Sequence, residues 1–238
     1  MEFYSIDFSE RFKRELAETL TDMRNPVEVK VFIASACETC RDTVRLLKLF
    51  EEASPKHGDS PLLKVKILNY DNKDNREEFI AENVQRVPTV SLLGGRIKWI
   101  GIPAGEEIRA LVETILRISE NESGLTPRTK KELKAIDKPI HIETIVTPPC
   151  PYCPYSVLLA HMFAFEAYKQ NNPVFVSEAI EAFENPDIAD KYGVMTVPAT
   201  AINGQLAFVG VPYEEDLLEF VRSVAEGKAK RHRNHWHL

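Results

Sequence analysis

The same series of marks occurs twice along these 238 residues. Cys37-Glu38-Thr39-Cys40 returns as Cys150-Pro151-Tyr152-Cys153, with the first cysteine 113 residues further on. Val87-Pro88-Thr89-Val90 returns as Val197-Pro198-Ala199-Thr200, 110 on. The Gly94-Gly95 turn returns as Asn203-Gly204, and Gly101-Ile102-Pro103 as Gly210-Val211-Pro212, both 109 on. Four kinds of landmark at nearly constant offset define a tandem duplication. Each unit has the length of one ordinary domain. Two units fall short of a solenoid, so each is expected to bury its own core. The division expected is 1–121 for the first unit and 122–228 for the second, followed by a basic, His-containing, disordered tail at 229–238.

Apolar periodicity fills in the elements of each unit. Phe8, Phe12, Leu16, Leu20 and Met23 have helical spacing, with Ser9 as N-cap. Val27 to Ala34 reads as a central strand ending at the first C-x-x-C, and a helix carrying Val44, Leu47 and Phe50 follows. A loop over Pro55 to Pro61, a strand over Leu62 to Tyr70 and a polar helix over Asp71 to Asn83 come next. Val90 to Leu93 and Arg96 to Ile100 form a hairpin, and Glu106 to Ser119 an amphipathic helix. Thr126-Pro127 opens a further helix, with Thr126 as cap and Pro127 at its first position. The order then recurs: strand Ile140 to Thr147, helix Ser156 to Gln170, strand Pro173 to Ile180, short helix Asn185 to Tyr192, hairpin, and closing helix Tyr213 to Val224.

A composition of 44% hydrophobic and 28% charged residues describes a folded globular chain. The net charge of −6 gives no reason to expect a nucleic-acid partner. No stretch has the length of a membrane-spanning helix, and the N-terminus lacks the apolar core of a signal peptide. The expected location is therefore the cytoplasm, where cysteine pairs serve metal binding or redox catalysis. The scarcity of glutamine (Gln85, Gln170 and Gln205) hints at a thermophilic source.

All four cysteines fall in the two C-x-x-C pairs. A lone C-x-x-C serves zinc as readily as redox chemistry. A zinc ribbon brings two pairs about 15–20 residues apart, whereas a whole unit separates Cys40 from Cys150, and no histidine stands at ligand spacing. Each pair instead joins a strand to a helix. A helix N-terminus favours a thiolate on the first cysteine, and the second lies within reach to resolve a mixed disulfide. Cys37 and Cys150 are thus the expected nucleophiles, exposed at the helix start, with Cys40 and Cys153 as buried resolving thiols. No metal and no cofactor beyond these redox-active disulfides is implied.

Val87-Pro88 and Val197-Pro198 occur once per unit, well downstream of each dithiol. A proline before a strand reads either as an edge residue or as a cis peptide. Its recurrence favours the cis form, packed beside the dithiol. Val87, Pro88, Val197 and Pro198 would then line a groove whose backbone receives an extended peptide bearing the target disulfide.

These motifs resemble the thioredoxin fold: a C-x-x-C after the first central strand, a Val-Pro-Thr or Thr-Val-Pro before a hairpin, and a glycine ahead of the last helix. Lys191 to Pro198 is especially thioredoxin-like, and Cys150-Pro-Tyr-Cys153 matches the dithiol of glutaredoxins. Over residues 8 to 225 the chain resembles the glutaredoxin-like protein disulfide oxidoreductases of hyperthermophiles. The resemblance implies an α/β fold of two tandem thioredoxin-like units, each a central mixed β-sheet flanked by helices. It also implies formation, reduction and shuffling of disulfides in protein substrates, with electrons exchanged with a thioredoxin-reductase-like flavoprotein.

One departure stands out. Thioredoxins bury an acidic residue six positions before the first cysteine, and here those positions are Val31 and Thr144. Glu143 is one residue away and by strand alternation faces the opposite side. Glu28, Lys30, His141 and Glu143 read as polar residues at strand starts. The two sites are not equivalent either. Glu38 disfavours a thiolate at Cys37, partly offset by Arg41, whereas Pro151-Tyr152 adds no charge. A lower pKa for Cys150 and a more oxidising second pair follow. Two other functions fit the motifs: a reductase module for a peroxidase, and a non-catalytic docking or zinc-bridged protein.

Overall fold

The computed structural model describes residues 6 and 8–228; the basic tail expected at 229–238 lies outside them. Ser9 accepts the N–H of Phe12 and opens α1 (Glu10–Leu20). The first unit continues with β1 (Val27–Ile33) and α2 (Cys40–Ala53). A two-strand ribbon, β2 (Lys56–His57) and β3 (Ser60–Pro61), then occupies the stretch that reads as plain loop. β4 (Leu63–Asn69), α3 (Arg76–Ala81), β5 (Thr89–Leu92), β6 (Ile97–Ile100) and α4 (Glu107–Glu120) complete it. The second unit runs α5 (Pro127–Lys134), β7 (Ile140–Val146), α6 (Cys153–Lys169), β8 (Phe175–Glu181), α7 (Pro186–Tyr192), β9 (Ala199–Ile202), β10 (Gln205–Val209) and α8 (Glu214–Ala225).

Local chemistry sets the boundaries that differ from expectation. The polar helix expected over 71–83 is shortened at both ends. Asn72 accepts the N–H of Asp74 and makes a 3-10 turn over Lys73–Asn75, and Asn83 turns left-handed at φ 51°. α6 begins at Cys153 rather than Ser156. Pro154 is tolerated in its first turn because the missing N–H has no helical acceptor there. Thr126 caps α5, with Pro127 at its first position, as the sequence indicates.

The cores of the two units, expected one per unit, run into each other. The two units share one eight-stranded sheet of order β10-β9-β7-β8-β6-β5-β1-β4. The join is a parallel pairing of β6 with β8, in which Ile97, Lys98, Trp99 and Ile100 face Ser177, Glu178, Ala179 and Ile180. Each unit alone would leave one of these strands as an open edge, and pairing removes both liabilities. The apolar core is continuous across the join: Val29, Leu47, Phe50, Trp99 and Leu111 belong to the same cluster as Ile142, Phe163 and Phe220. The opposite face of the sheet carries a smaller cluster of Phe32, Leu68 and Phe79. That face also carries a chain of charges running over the join. Lys30 bonds Glu78 (2.7 Å) and Glu82 (2.6 Å), and Lys98 bonds Glu178 (2.7 Å) and the Glu82 carbonyl (3.2 Å).

Candidate active sites

Both C-x-x-C pairs stand where a strand feeds a helix. The turn after β1 is fixed by Asp71, whose carboxylate accepts the N–H (2.8 Å) and hydroxyl (2.5 Å) of Ser35. It delivers Cys37, half-buried, to a disulfide with Cys40, the first residue of α2. Cys40 is 4% exposed. In the second unit Cys150 and Cys153 are joined in the same way at the start of α6. The nucleophile expected to be exposed here is not: Cys150 is buried, at 7% exposure. The loop between β6 and α4 lies against the turn that carries it. Gly105, at φ +62°, lies so near Pro148 that a Cβ would fall 2.3 Å from its carbonyl oxygen, and Glu106 donates its N–H to that oxygen (2.9 Å). The exposed side chains of this site include Pro149, Pro151, Tyr152 and, just beyond, Tyr155. Cys150 Sγ accepts the N–H of Cys153 at 3.1 Å. Arg41 pairs with Asp42 at 3.9 Å.

Val87-Pro88 and Val197-Pro198 are both cis. Gly101 donates to the Pro88 carbonyl (2.9 Å) and Gly210 to that of Pro198 (2.7 Å), tying each proline to the end of its hairpin. Among the described residues, neither Val87 nor Val197 uses its own N–H or C=O in a backbone bond. A buried backbone would not tolerate this, but a peptide-receiving edge requires it.

The positions six residues before each first cysteine hold Val31 (0% exposed) and Thr144 (1%), neither a proton acceptor of the usual kind. Glu143 does point to the other face. There it is buried and accepts the Tyr192 hydroxyl, with Lys191 at 3.9 Å. Glu28 is exposed, whereas Lys30 and His141 belong to the charge network, His141 bonding Glu178 at 2.8 Å. A buried carboxyl does exist, but at a place the sequence does not advertise. Glu107, at the start of α4, is 1% exposed; its Oε2 accepts the Trp99 indole N–H (3.3 Å), and its Oε1 has no protein partner. Burial pushes its pKa from 4.5 to about 8, so it is largely protonated at neutral pH. Trp99 also packs edge-on against His161 of α6, at 4.4 Å between ring centroids. The carboxyl therefore lies beside Trp99 of β6, which in turn packs on α6. In sequence a Glu in a first helical turn reads as a solvent-facing partner of the helix dipole.

The second unit also builds a wall of the first site. Arg86, beside the cis Val87-Pro88 bond, grips Asp187 with both terminal nitrogens (2.9 and 2.5 Å) and reaches Asn185 (3.2 Å). Glu184 accepts the Thr39 hydroxyl (2.5 Å) and the Ile102 N–H (2.6 Å). No local sequence signal marks Arg86 or Glu184, because their partners are on the other unit.

Among the described residues one group has metal-ligating side chains close together: His141, Glu143 and Glu178, within 4.8 Å. It contains no cysteine. Its Glu178 is already neutralised by Lys98 at 2.7 Å, so a cation would have to displace an ammonium. The bonded cysteine pairs instead fit a protein whose redox groups are its own side chains.

Two strand–dithiol–helix units, each with a cis X-Pro ahead of a hairpin, define a thiol–disulfide oxidoreductase on thioredoxin folds. Residues 27–113 and 140–222 match the thioredoxin domain family, and the chain belongs to that family. The crystal structure of a protein disulfide oxidoreductase from Aeropyrum pernix K1 is similar over 97% of this chain and 99% of that one, with 61% identity and a TM-score of 0.94. The thioredoxin of Methanocaldococcus jannaschii is 35% identical over 83 residues, which is 35% of this chain and 93% of its own length. The F component of the alkyl hydroperoxide reductase of Staphylococcus epidermidis is 29% identical over 113 residues, 46% of this chain and 20% of that protein.

Proposed function

We propose that this protein disulfide oxidoreductase exchanges thiols and disulfides with polypeptide substrates through both of its dithiols, residues 1–121 and 122–228 supplying one each. The Cys37 or Cys150 thiolate attacks a substrate disulfide, forming a mixed disulfide and releasing one substrate thiolate, which takes up a proton. The thiolate of Cys40 or Cys153 then attacks the mixed disulfide. The second substrate thiol leaves, two electrons have passed to the substrate, and the protein's own disulfide is restored. Run backwards, the same steps oxidise a substrate; stopped at the mixed disulfide, they allow isomerisation. Val87, Pro88, Val197 and Pro198 shape the groove. The observation that carries this reading is the pairing, in each unit, of a helix-start disulfide with a cis X-Pro whose preceding backbone is unbonded.

Reducing equivalents come in this reading from a thioredoxin-reductase-like flavoprotein. The proposed location is the cytoplasm; among the described residues no helix is long and apolar enough to cross a membrane. Insulin reduction by the wild type, Cys37→Ser, Cys150→Ser and the double variant tests the assignment. Each single variant retains part of the turnover and the double variant none; full turnover in the double variant would sink the reading. The likeness to the F component of alkyl hydroperoxide reductase favours one further reading, reduction of a peroxidase. Coupled peroxide consumption with a purified peroxidase distinguishes the two.

A further inference from the structure

The two dithiols differ in what touches the nucleophile. In the second, Cys150 Sγ accepts a backbone N–H, a contact that favours a thiolate. In the first, the polar side-chain atom in contact with Cys37 Sγ is the Thr39 hydroxyl, at 3.9 Å. That hydroxyl has one proton, and it lies on the bond to Glu184 of the second unit, at 2.5 Å. Toward the sulfur, Thr39 therefore presents lone pairs, which accept from a Cys37 S–H and repel a thiolate.

Glu184 is held in this position from several sides. Its second oxygen accepts the Ile102 N–H at 2.6 Å. Its own N–H, at 2.6 Å, and that of Phe183, at 3.0 Å, are anchored on the Glu181 carboxylate. Gly101, at φ +95°, lies against the same loop, where a Cβ would come within 2.7 Å of Glu181 Cβ and 3.0 Å of Glu184 Oε1. Asn185 and Asp187, the next links in the chain, hold Arg86 beside the cis proline. The second site is walled differently: the β6–α4 loop of the first unit lies on Pro148, and Arg109 of α4 reaches the Tyr155 hydroxyl at 3.4 Å. Tyr152, at the place of Thr39, is 65% exposed, and Val211, at the place of Ile102, is 43% exposed against 1%.

We propose that Glu184 is a positioning residue for the first dithiol: by taking the Thr39 hydroxyl proton it keeps that hydroxyl from donating to the Cys37 thiolate, and so holds the Cys37–Cys40 pair as the more reducing of the two. The inference rests on Cys37 being the attacking thiol of its pair. The charged neighbours of the turn are Glu38, Arg41 and Asp42 in and just after it, Asp71 behind it, and Glu181, Glu184, Asp187 and Arg86 in the wall; among the described residues Glu184 accepts a bond from the dipeptide between the cysteines.

Glu184→Gln is the decisive variant. The amide oxygen retains the Ile102 N–H, while the amide nitrogen donates to Thr39 and releases its hydroxyl proton toward Cys37. The test is made on the reduced full chain carrying Cys150→Ser and Cys153→Ser. Iodoacetamide alkylation of Cys37 is followed against pH by peptide mass, and the Cys37–Cys40 potential is measured against glutathione. Glu184→Gln is expected to move the alkylation midpoint down by about half to one pH unit, which raises the rate below the midpoint roughly three- to tenfold, and to make the potential more oxidising. In a Thr39→Val background the same substitution is expected to change nothing. Cys150 alkylation in the Cys37→Ser, Cys40→Ser chain reports folding and should be unmoved by Glu184→Gln. An unmoved Cys37 midpoint overturns the inference, as does an equal shift in the Thr39→Val background, which would make Glu184 a bulk charge. Preferential alkylation of Cys40 would overturn the assignment of the attacking thiol, and this inference with it.

Discussion

Thr144 on β7 stands directly opposite Thr200 on β9, where the first unit has Val31 opposite Val90. Both threonines are 1% exposed, and neither hydroxyl has a protein partner. A buried hydroxyl without a bond costs about 1–3 kcal/mol, and the first unit shows that two valines fit this register. Thr144→Val and Thr200→Val are therefore each expected to stabilise the protein by ~1 kcal/mol, read as a higher urea midpoint at unchanged slope. A loss of stability in either variant would show that the hydroxyl is bonded, through water, to something that matters more.

Glu107 sets a different slope. Its folded pKa of about 8 lies above the ordinary 4.5, so between those values the folded state binds a proton that the unfolded chain has lost. The stability tied to this group is whole below pH 4.5 and is lost as pH rises toward 8. At ~1.4 kcal/mol for each pH unit separating the two values, the loss amounts to a few kcal/mol. Glu107→Gln, neutral at every pH, is expected to match the wild type near pH 4 and to exceed it at pH 9. Urea unfolding at the two pH values checks this, and equal differences at both would contradict it.

The duplication, both cis prolines and nearly all the elements were legible because each rests on local pattern: apolar period, cap residue, X-Pro, C-x-x-C. What escaped was every feature made by the two units together. Nothing in Ile97–Ile100 says that it pairs with Ser177–Ile180, because a short apolar strand reads the same at an edge or in the middle of a sheet. The burial of Cys150 escaped for the same reason. Pro148, two residues before it, is packed against Gly105 of the other unit. Glu107 escaped because its burial is tertiary, whereas its helix position has the signature of a surface residue.

The join also makes Lys98 a central residue. It is 2% exposed, and its ammonium reaches Glu178 at 2.7 Å across the β6–β8 pair. Although burial works against its charge, the Glu178 carboxyl is held down to about 2 by His141 and Lys98. Removing one partner of a buried pair leaves the other charge uncompensated, at ~3–5 kcal/mol. Lys98→Met is expected to destabilise by about that much, and Lys98→Met with Glu178→Gln by much less. The wild-type contribution is present above pH 4.5 and disappears as pH falls toward 2. A double-mutant cycle at pH 7 and pH 3 measures both effects; a coupling as large at pH 3 as at pH 7 and insensitive to further acid would refute the ionic origin.

The last expectation concerns the two disulfides as a pair of unequal reagents. Cys37 has Glu38 beside it and a threonine whose proton goes elsewhere. Cys150 has no charged residue in its turn and accepts the Cys153 N–H. These contacts favour the thiolate at Cys150 over that at Cys37, against the deeper burial of Cys150, which disfavours it. A stabilised thiolate stabilises the reduced form and raises the potential of its pair. The Cys150–Cys153 potential, measured in the Cys37→Ser chain, is therefore expected to lie above that of Cys37–Cys40 in the Cys150→Ser chain. A difference of one pH unit between the two nucleophiles corresponds to roughly 30 mV for this two-electron couple. The thiol midpoints should follow the same order, with Cys150 lower. A first pair at equal or higher potential would mean that the contacts outside the two turns outweigh those within them.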